Sequence, residues 1–140
     1  MNSKLDKYDE QSLEGTSELR LDFTKLTKIP DNSLVIPVAV QNAITKEVIL
    51  VAYTNKLAFE ETLKKRKAIF WSTSRNELWF KGEESGNTFT INSIHVNCEQ
   101  NSLVYVVTPD KGNICHTSIN GVSNNCYYRE LNLDTMELEF

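Results

Sequence analysis

Long apolar runs are missing from this chain of 140 residues. No stretch reaches the length of a transmembrane helix, and Met1 to Arg20 are polar and charged, without an apolar stretch of signal-peptide length. A membrane-spanning or exported protein is therefore not expected. Positive charge is also scarce: the formal net charge is -4, and the densest basic run is Lys64-Lys65-Arg66. That gives no general attraction to nucleic acid and argues against a polyanion partner. Cysteines number only three, too few and of the wrong parity for a disulfide-stapled scaffold, while 40% hydrophobic residues suffice for one core without staples. Internal repeats and low-complexity tracts are absent. What remains is a cytoplasmic protein of one ordinary domain, in a reducing compartment where thiols stay free.

Residues 1–20 lack periodicity and carry Gly15, serines and many charges, so a loosely ordered extension is expected before a single domain over 21–140. Leu34 to Val40 is a β-branched apolar run that reads as a strand, with Pro37 suggesting an edge or a bulge. Val48 to Tyr53 reads as a second strand, joined to the first by a polar hairpin connection. Asn55 is placed to cap a helix over about 55–67, with Ala58, Phe59, Thr62 and Leu63 on its inner face. Short strands follow at Ala68 to Ser72, Leu78 to Lys81, Thr88 to Val96, Leu103 to Thr108 and Cys126 to Arg129, separated by turn signals; Glu137 to Phe140 extends a last strand or frays. The pattern is that of a mainly antiparallel α+β domain with one principal helix.

The three cysteines, Cys98, Cys115 and Cys126, all lie in the last third of the chain at predicted loops and strand ends. Three is the ligand number of a catalytic zinc that keeps its fourth position for water. Their gaps match no Cys-x-x-Cys knuckle, and the competing reading is that one or more are small buried hydrophobes. His116, next to Cys115, is the better candidate for proton transfer, the other role for it being an orienting hydrogen bond. His95 reads as a residue of a solvated strand face. The stretch from Trp71 to Asn87 combines aromatic faces (Trp71, Trp79), hydroxyls (Ser72, Thr73, Ser74, Ser85), cations (Arg75, Lys81) and glycines (Gly82, Gly86). These suit a phosphorylated ligand with a flat base, although a hairpin with a tryptophan core and a charged rim has the same composition.

Read in order, several segments resemble the phosphoribosyl-AMP cyclohydrolase family of histidine biosynthesis: Pro37-Val-Ala-Val-Gln41, Glu47 to Asn55, Phe70 to Asn87, Asn97-Cys-Glu99, Cys115-His-Thr117 and Cys126-Tyr-Tyr-Arg129. The match is collinear over about residues 20–131. The resemblance implies a zinc-dependent hydrolase that opens the adenine ring of 1-(5-phosphoribosyl)-AMP at the N1–C6 bond, working as a homodimer with active sites at the subunit interface. It implies Cys98, Cys115 and Cys126 as zinc ligands and His116 as the proton carrier. It makes the Trp71–Asn87 segment a substrate clamp, with Trp71, Ser72, Ser74, Arg75, Lys81, Ser85 and Gly86 as contacts.

Two departures stand out. The family usually has Asp-Cys-Asp-x-Asp around the first cysteine, a pattern associated with magnesium, whereas here Asn97, Glu99 and Asn101 occupy those places. With one carboxylate left, a weaker magnesium site is expected. The interval from Cys115 to Cys126 is longer than usual, with extra residues around Ser118 to Asn124 that read as a surface loop. Some members carry a carboxy-terminal pyrophosphohydrolase domain; with few residues after Arg129, a monofunctional protein is expected. The alternatives are a diverged zinc hydrolase of another purine nucleotide, or a non-catalytic metal-stabilised nucleotide-binding module.

Overall fold

The computed structural model describes residues 13–21, 23, 34–111, 114, 118–119, 122–123 and 125–140. Its elements in chain order are β1 (Ile36–Asn42), β2 (Val48–Thr54), α1 (Lys56–Lys65), β3 (Ile69–Ser72), β4 (Glu77–Phe80), β5 (Phe89–Val96), β6 (Leu103–Pro109), β7 (Ser118–Ile119), β8 (Val122–Ser123), β9 (Glu130–Leu131) and β10 (Leu138–Glu139). Two compact units divide the chain, Phe23–Gly112 on one side and Met1–Asp22 with Asn113–Phe140 on the other.

In the larger unit, strand alternation builds the core. Val38, Val40, Leu103, Tyr105 and Val107 are buried at every second position of β1 and β6, as a sheet with one packed face requires. The sheet has the order β2-β1-β6-β5. The β1–β2 and β5–β6 pairs are antiparallel, and β1 runs parallel to β6. The sheet is thus mostly antiparallel with one parallel seam, and with the one helix found among the described residues the architecture is α+β.

Pro37 does not mark an edge, since β1 is an interior strand. The proline is accommodated because parallel pairing starts one residue later, at Val38↔Leu103, and the register irregularity falls between Val40 and Gln41 instead. The turn after β1 is closed by Asn42, whose Oδ1 accepts the amides of Ile44 (2.9 Å) and Thr45 (3.2 Å).

The helix starts where expected, with Asn55 Oδ1 accepting the Ala58 amide at 2.9 Å. It stops at Lys65, because Arg66 turns left-handed at φ 58° and Lys67 then bridges to Thr90. Its buried stripe is narrower than the sequence suggests: Ala58 and Thr62 are fully buried, but Leu63 is 44% exposed. The reason lies in Thr62, whose hydroxyl donates to the Ile69 carbonyl (2.9 Å) and accepts the Ile69 amide (3.1 Å). Those two hydrogen bonds to β3 hold the helix with Thr62, not Leu63, facing inward. Packing on β3 continues through Phe70, 5.9 Å from the Tyr105 ring and 5.5 Å from Trp79.

In the smaller unit, residues 13–21 are held against the carboxy-terminal segment, where the sequence suggests a loose extension; residues 1–12 lie outside the described residues. Arg129 Nη1 donates to the carbonyls of Leu13 and Thr16 at 2.8 Å each, the Tyr128 hydroxyl donates to the Glu14 carbonyl, and the Leu138 amide donates to Ser17 O at 2.7 Å. The strand expected over Cys126 to Arg129 is a turn instead, and pairing begins only at β9. Asn125 explains the difference, because its Oδ1 accepts the Tyr127 amide at 2.8 Å and bends the chain. The expected last strand is present as β10, antiparallel to β9. The extra residues after Cys115 contain a short hairpin, β7 with β8.

Candidate active site

The β3–β4 hairpin carries most of the residues singled out from the sequence. Phe70↔Trp79 and Trp71↔Leu78 are cross-strand pairs, and the connecting turn ends in Asn76 with φ 52°. Alternation sends Phe70 into the core, whereas Trp71 and Ser72 are only partly buried. Here β3 packs beside β2, and the result is a concavity of about 240 Å³ lined by Val51, Tyr53, Trp71, Ser72, Ser74, Arg75 and Trp79, among others. Four expected contacts, Trp71, Ser72, Ser74 and Arg75, are therefore gathered at one place. Tyr53 was missed because it lies in another strand, and only the packing of β2 beside β3 brings its ring to the site.

Within this concavity Ser72 organises the turn: its Oγ accepts the Arg75 amide at 3.3 Å and lies 3.4 Å from Ser74 Oγ. Among the described residues, Arg75 is the only charged side chain in the lining. Its guanidinium lies 3.4 Å from Glu77, but both side chains are more than half exposed, so the pair is weakly held and Arg75 is available to an anion.

A second concavity, about 410 Å³, shares Arg75 and Trp79 with the first and is bordered also by Glu77, Leu78, Phe80, Gly82, Glu83, Glu84 and Ser85. Three carboxylates against one guanidinium make it a poor place for a phosphate. Ser85 belongs to this rim, and its Oγ is engaged by the Asn87 amide at 3.1 Å.

Lys81 and Gly86 line neither concavity. The Lys81 amine sits 4.7 Å above the centre of the buried Phe89 ring, a cation–π contact. Gly86, at φ 79°, has another lysine against it: a β-carbon there would stand 2.6 Å from Lys111 Nζ. Gly82 is the stricter glycine, because at φ 81° a β-carbon would come within 2.2 Å of the Asn87 backbone. Lys111, distant in sequence, was not legible as a neighbour of this turn.

Beside the hairpin, Asp110 accepts from Lys67 Nζ (2.7 Å), Thr88 Oγ1 (2.5 Å) and Thr90 Oγ1 (2.5 Å). Burial pushes its carboxyl up, but the bonds from Lys67, Thr88 and Thr90 and the lysine charge outweigh it and bring the pKa down to about 2. Buried Tyr105 moves the other way: burial raises its phenol, against smaller opposing effects of the Thr54 and Thr62 hydroxyls. Neither group lines a concavity described above, and both read as structural.

Of the expected metal ligands, Cys98 lies exposed in the turn between β5 and β6, and Cys126 lies exposed in the turn before β9. They belong to different compact units. Cys115 and His116 lie outside the described residues. The donor set suits zinc chemically, since exposed thiols form soft thiolate ligands without first being uncovered. Around Cys98, Asn97 Oδ1 accepts the amides of Asn101 (2.8 Å) and Ser102 (3.1 Å), while Asn97 Nδ2 donates to Asn101 Oδ1 at 2.6 Å. Glu99 is exposed.

Residues 50–128 match the family model described as phosphoribosyl-AMP cyclohydrolase. A phosphoribosyl-AMP cyclohydrolase of Nitrosopumilus maritimus is 47% identical over 96 residues, covering 69% of this chain and 84% of that protein. One from Archaeoglobus fulgidus is 43% identical over 104 residues, covering 74% and 92%. The histidine biosynthesis bifunctional protein of Lactococcus lactis is 44% identical over 96 residues, covering 69% of this chain and 43% of its own length. The matched range contains the hairpin, both concavities and all three cysteines.

Proposed function

The chain belongs to the phosphoribosyl-AMP cyclohydrolase family of enzymes in histidine biosynthesis, and from that premise we propose that it hydrolyses the N1–C6 bond of 1-(5-phosphoribosyl)-AMP in the cytoplasm, as a zinc-dependent homodimer with its active sites at the subunit interface. The observation that carries this reading is the 240 Å³ concavity, where the rings of Tyr53, Trp71 and Trp79 stand beside Ser72, Ser74 and Arg75. Flat apolar walls with one cation at the rim suit a purine joined to a phosphate.

In this reading the chain positions and the ring opens. The base lies against the aromatic wall, and a phosphate is directed to Arg75 and the Ser72–Ser74 hydroxyls, away from Glu83 and Glu84. Lys81, which lies on Phe89 and lines neither concavity, is badly placed to be a second phosphate contact. Water oxygen bonds to C6, the C6–N1 bond breaks, and N1 receives a proton. His116 carries protons in this exchange, supported by its place in the Cys-His-Thr motif. Cys98, Cys115 and Cys126 would hold zinc, as the family resemblance implies, and zinc bound there would acidify water so that a nucleophilic oxygen is available at neutral pH.

The test is ring opening of phosphoribosyl-AMP by purified, zinc-loaded protein, followed by absorbance. Turnover that disappears in Cys126→Ser and needs more substrate in Arg75→Ala supports the reading. A folded, zinc-bound protein without turnover on this substrate refutes it and favours another purine nucleotide.

A further inference from the structure

The turn that carries Cys98 joins β5 to β6, and its closure depends on one side chain. An amide oxygen has two lone pairs, and both of those on Asn97 Oδ1 are taken, by the amides of Asn101 at 2.8 Å and Ser102 at 3.1 Å. The amide nitrogen of Asn97 then donates to Asn101 Oδ1 at 2.6 Å, occupying half of that oxygen's capacity as well. Backbone bonds complete the turn, Gln100 N–H to Asn97 O at 3.0 Å and Asn97 N–H to Ser102 O at 3.2 Å.

Magnesium needs six oxygens in near-octahedral order and holds its waters tightly, so a protein site usually contributes one or two carboxylates. At the three positions expected to bind it, 97, 99 and 101, this turn offers the exposed carboxylate of Glu99 and one remaining lone pair on Asn101. A cation drawing on Asn97 has to displace two backbone amides first. The residues present therefore do not fit the magnesium site that the family resemblance implies.

Their chemistry also explains why none is needed. Two carboxylates at positions 97 and 101, with oxygens at the 2.6 Å seen between the amides, repel each other unless a cation lies between them. Two amides at that distance form a hydrogen bond instead, because one presents a donor and the other an acceptor. We propose that the Asn97–Asn101 amide pair replaces a divalent cation as the device that closes the Cys98 turn, and that this protein folds and turns over without magnesium. The turnover half of the proposal rests on the ring-opening reading above; the closure half does not.

The experiment uses the zinc-loaded full chain, with Mg²⁺ itself as the probe. Wild type is compared with the Asn97→Asp/Asn101→Asp double variant and with Asn97→Ala by calorimetric Mg²⁺ titration, by thermal midpoint with and without Mg²⁺, and by turnover in both buffers. Wild type is expected to show no saturable Mg²⁺ binding, an unchanged midpoint and unchanged turnover. The double variant is expected to lose midpoint in magnesium-free buffer and to regain it, with a binding heat, when Mg²⁺ is added. If the double variant folds in neither buffer, Asn97→Ala takes its place: it is expected to lose midpoint that Mg²⁺ does not restore, and an unchanged midpoint overturns the closure half of the proposal. Saturable Mg²⁺ binding by wild type that Asn97→Ala abolishes overturns the proposal, as does a double variant equally stable without Mg²⁺ and unable to bind it. Absence of turnover in both buffers, with the binding and midpoint results as expected, overturns the ring-opening reading and leaves the closure by amides standing.

Discussion

Replacing Thr62 by valine tests how the helix holds the wall of the site. Thr62 has no exposed surface, and its hydroxyl serves both the carbonyl and the amide of Ile69 at 2.9 and 3.1 Å. Valine has nearly the same shape, so the substitution removes two hydrogen bonds and opens no cavity. A buried donor or acceptor left without a partner costs about 1–3 kcal/mol each. Against two such groups, the added methyl returns about 1 kcal/mol of apolar burial. The net loss is about 1–5 kcal/mol, which for a domain of this size lowers the thermal midpoint by about 3–17 °C. Urea and thermal unfolding of the zinc-loaded protein, followed by circular dichroism, measure it. Thr62→Ser keeps the hydroxyl and is expected to lose only about 1 kcal/mol, the value of a methyl. A Thr62→Val protein within about 1 kcal/mol of wild type, or a serine variant that falls as far as the valine one, refutes the reasoning. Because β3 also bears Trp71 and Ser72, the valine variant is expected to bind substrate more weakly as well.

Three further outcomes are expected. Arg75→Met raises KM for phosphoribosyl-AMP by about ten- to a hundredfold, the worth of a charge-assisted bond, while the exposed pair with Glu77 makes its effect on stability under about 1 kcal/mol; steady-state kinetics and a melting curve separate the two. Asp110 has its carboxyl lowered to about 2 in the folded chain, so the stability it contributes is full above the unfolded carboxyl range and is lost as pH falls from about 5 toward 2. Lys67→Met flattens that acid limb by about 1 kcal/mol once solvent screening of these partly exposed groups is allowed for, as pH-dependent unfolding shows. Chelation of zinc abolishes turnover, readdition restores it, and Cys98→Ser or Cys126→Ser lowers the zinc content found by elemental analysis.

How much of this was legible in the sequence follows from how far each interaction reaches along the chain. Asn55 capping Ala58, Asn42 closing its own turn and the alternation of Val38 and Val40 all act over two to five residues, so residue type and spacing were enough to place α1, β1 and β2. Asn125 was equally local; its Asx bond to Tyr127 was overlooked because Cys126 to Arg129 also has the composition of a strand. The aromatic and hydroxyl residues of the β3–β4 hairpin were legible because a single hairpin supplies them.

Tertiary structure decided the rest. The parallel seam between β1 and β6 joins segments more than sixty residues apart and makes the proline strand an interior one, which no local pattern contains. Whether Thr62 or Leu63 faces inward was set by the Ile69 backbone, since both fit a helical stripe. Of the two lysines, Lys81 turns onto Phe89 and Lys111 arrives beside Gly86 because loop packing, not charge, fixes where a flexible side chain ends. The amino acids determined which chemistry this chain carries, three thiols, two tryptophans and the arginine between them. Its geometry was decided by contacts between distant segments, where the free energy of packing outweighs the preference of any one residue.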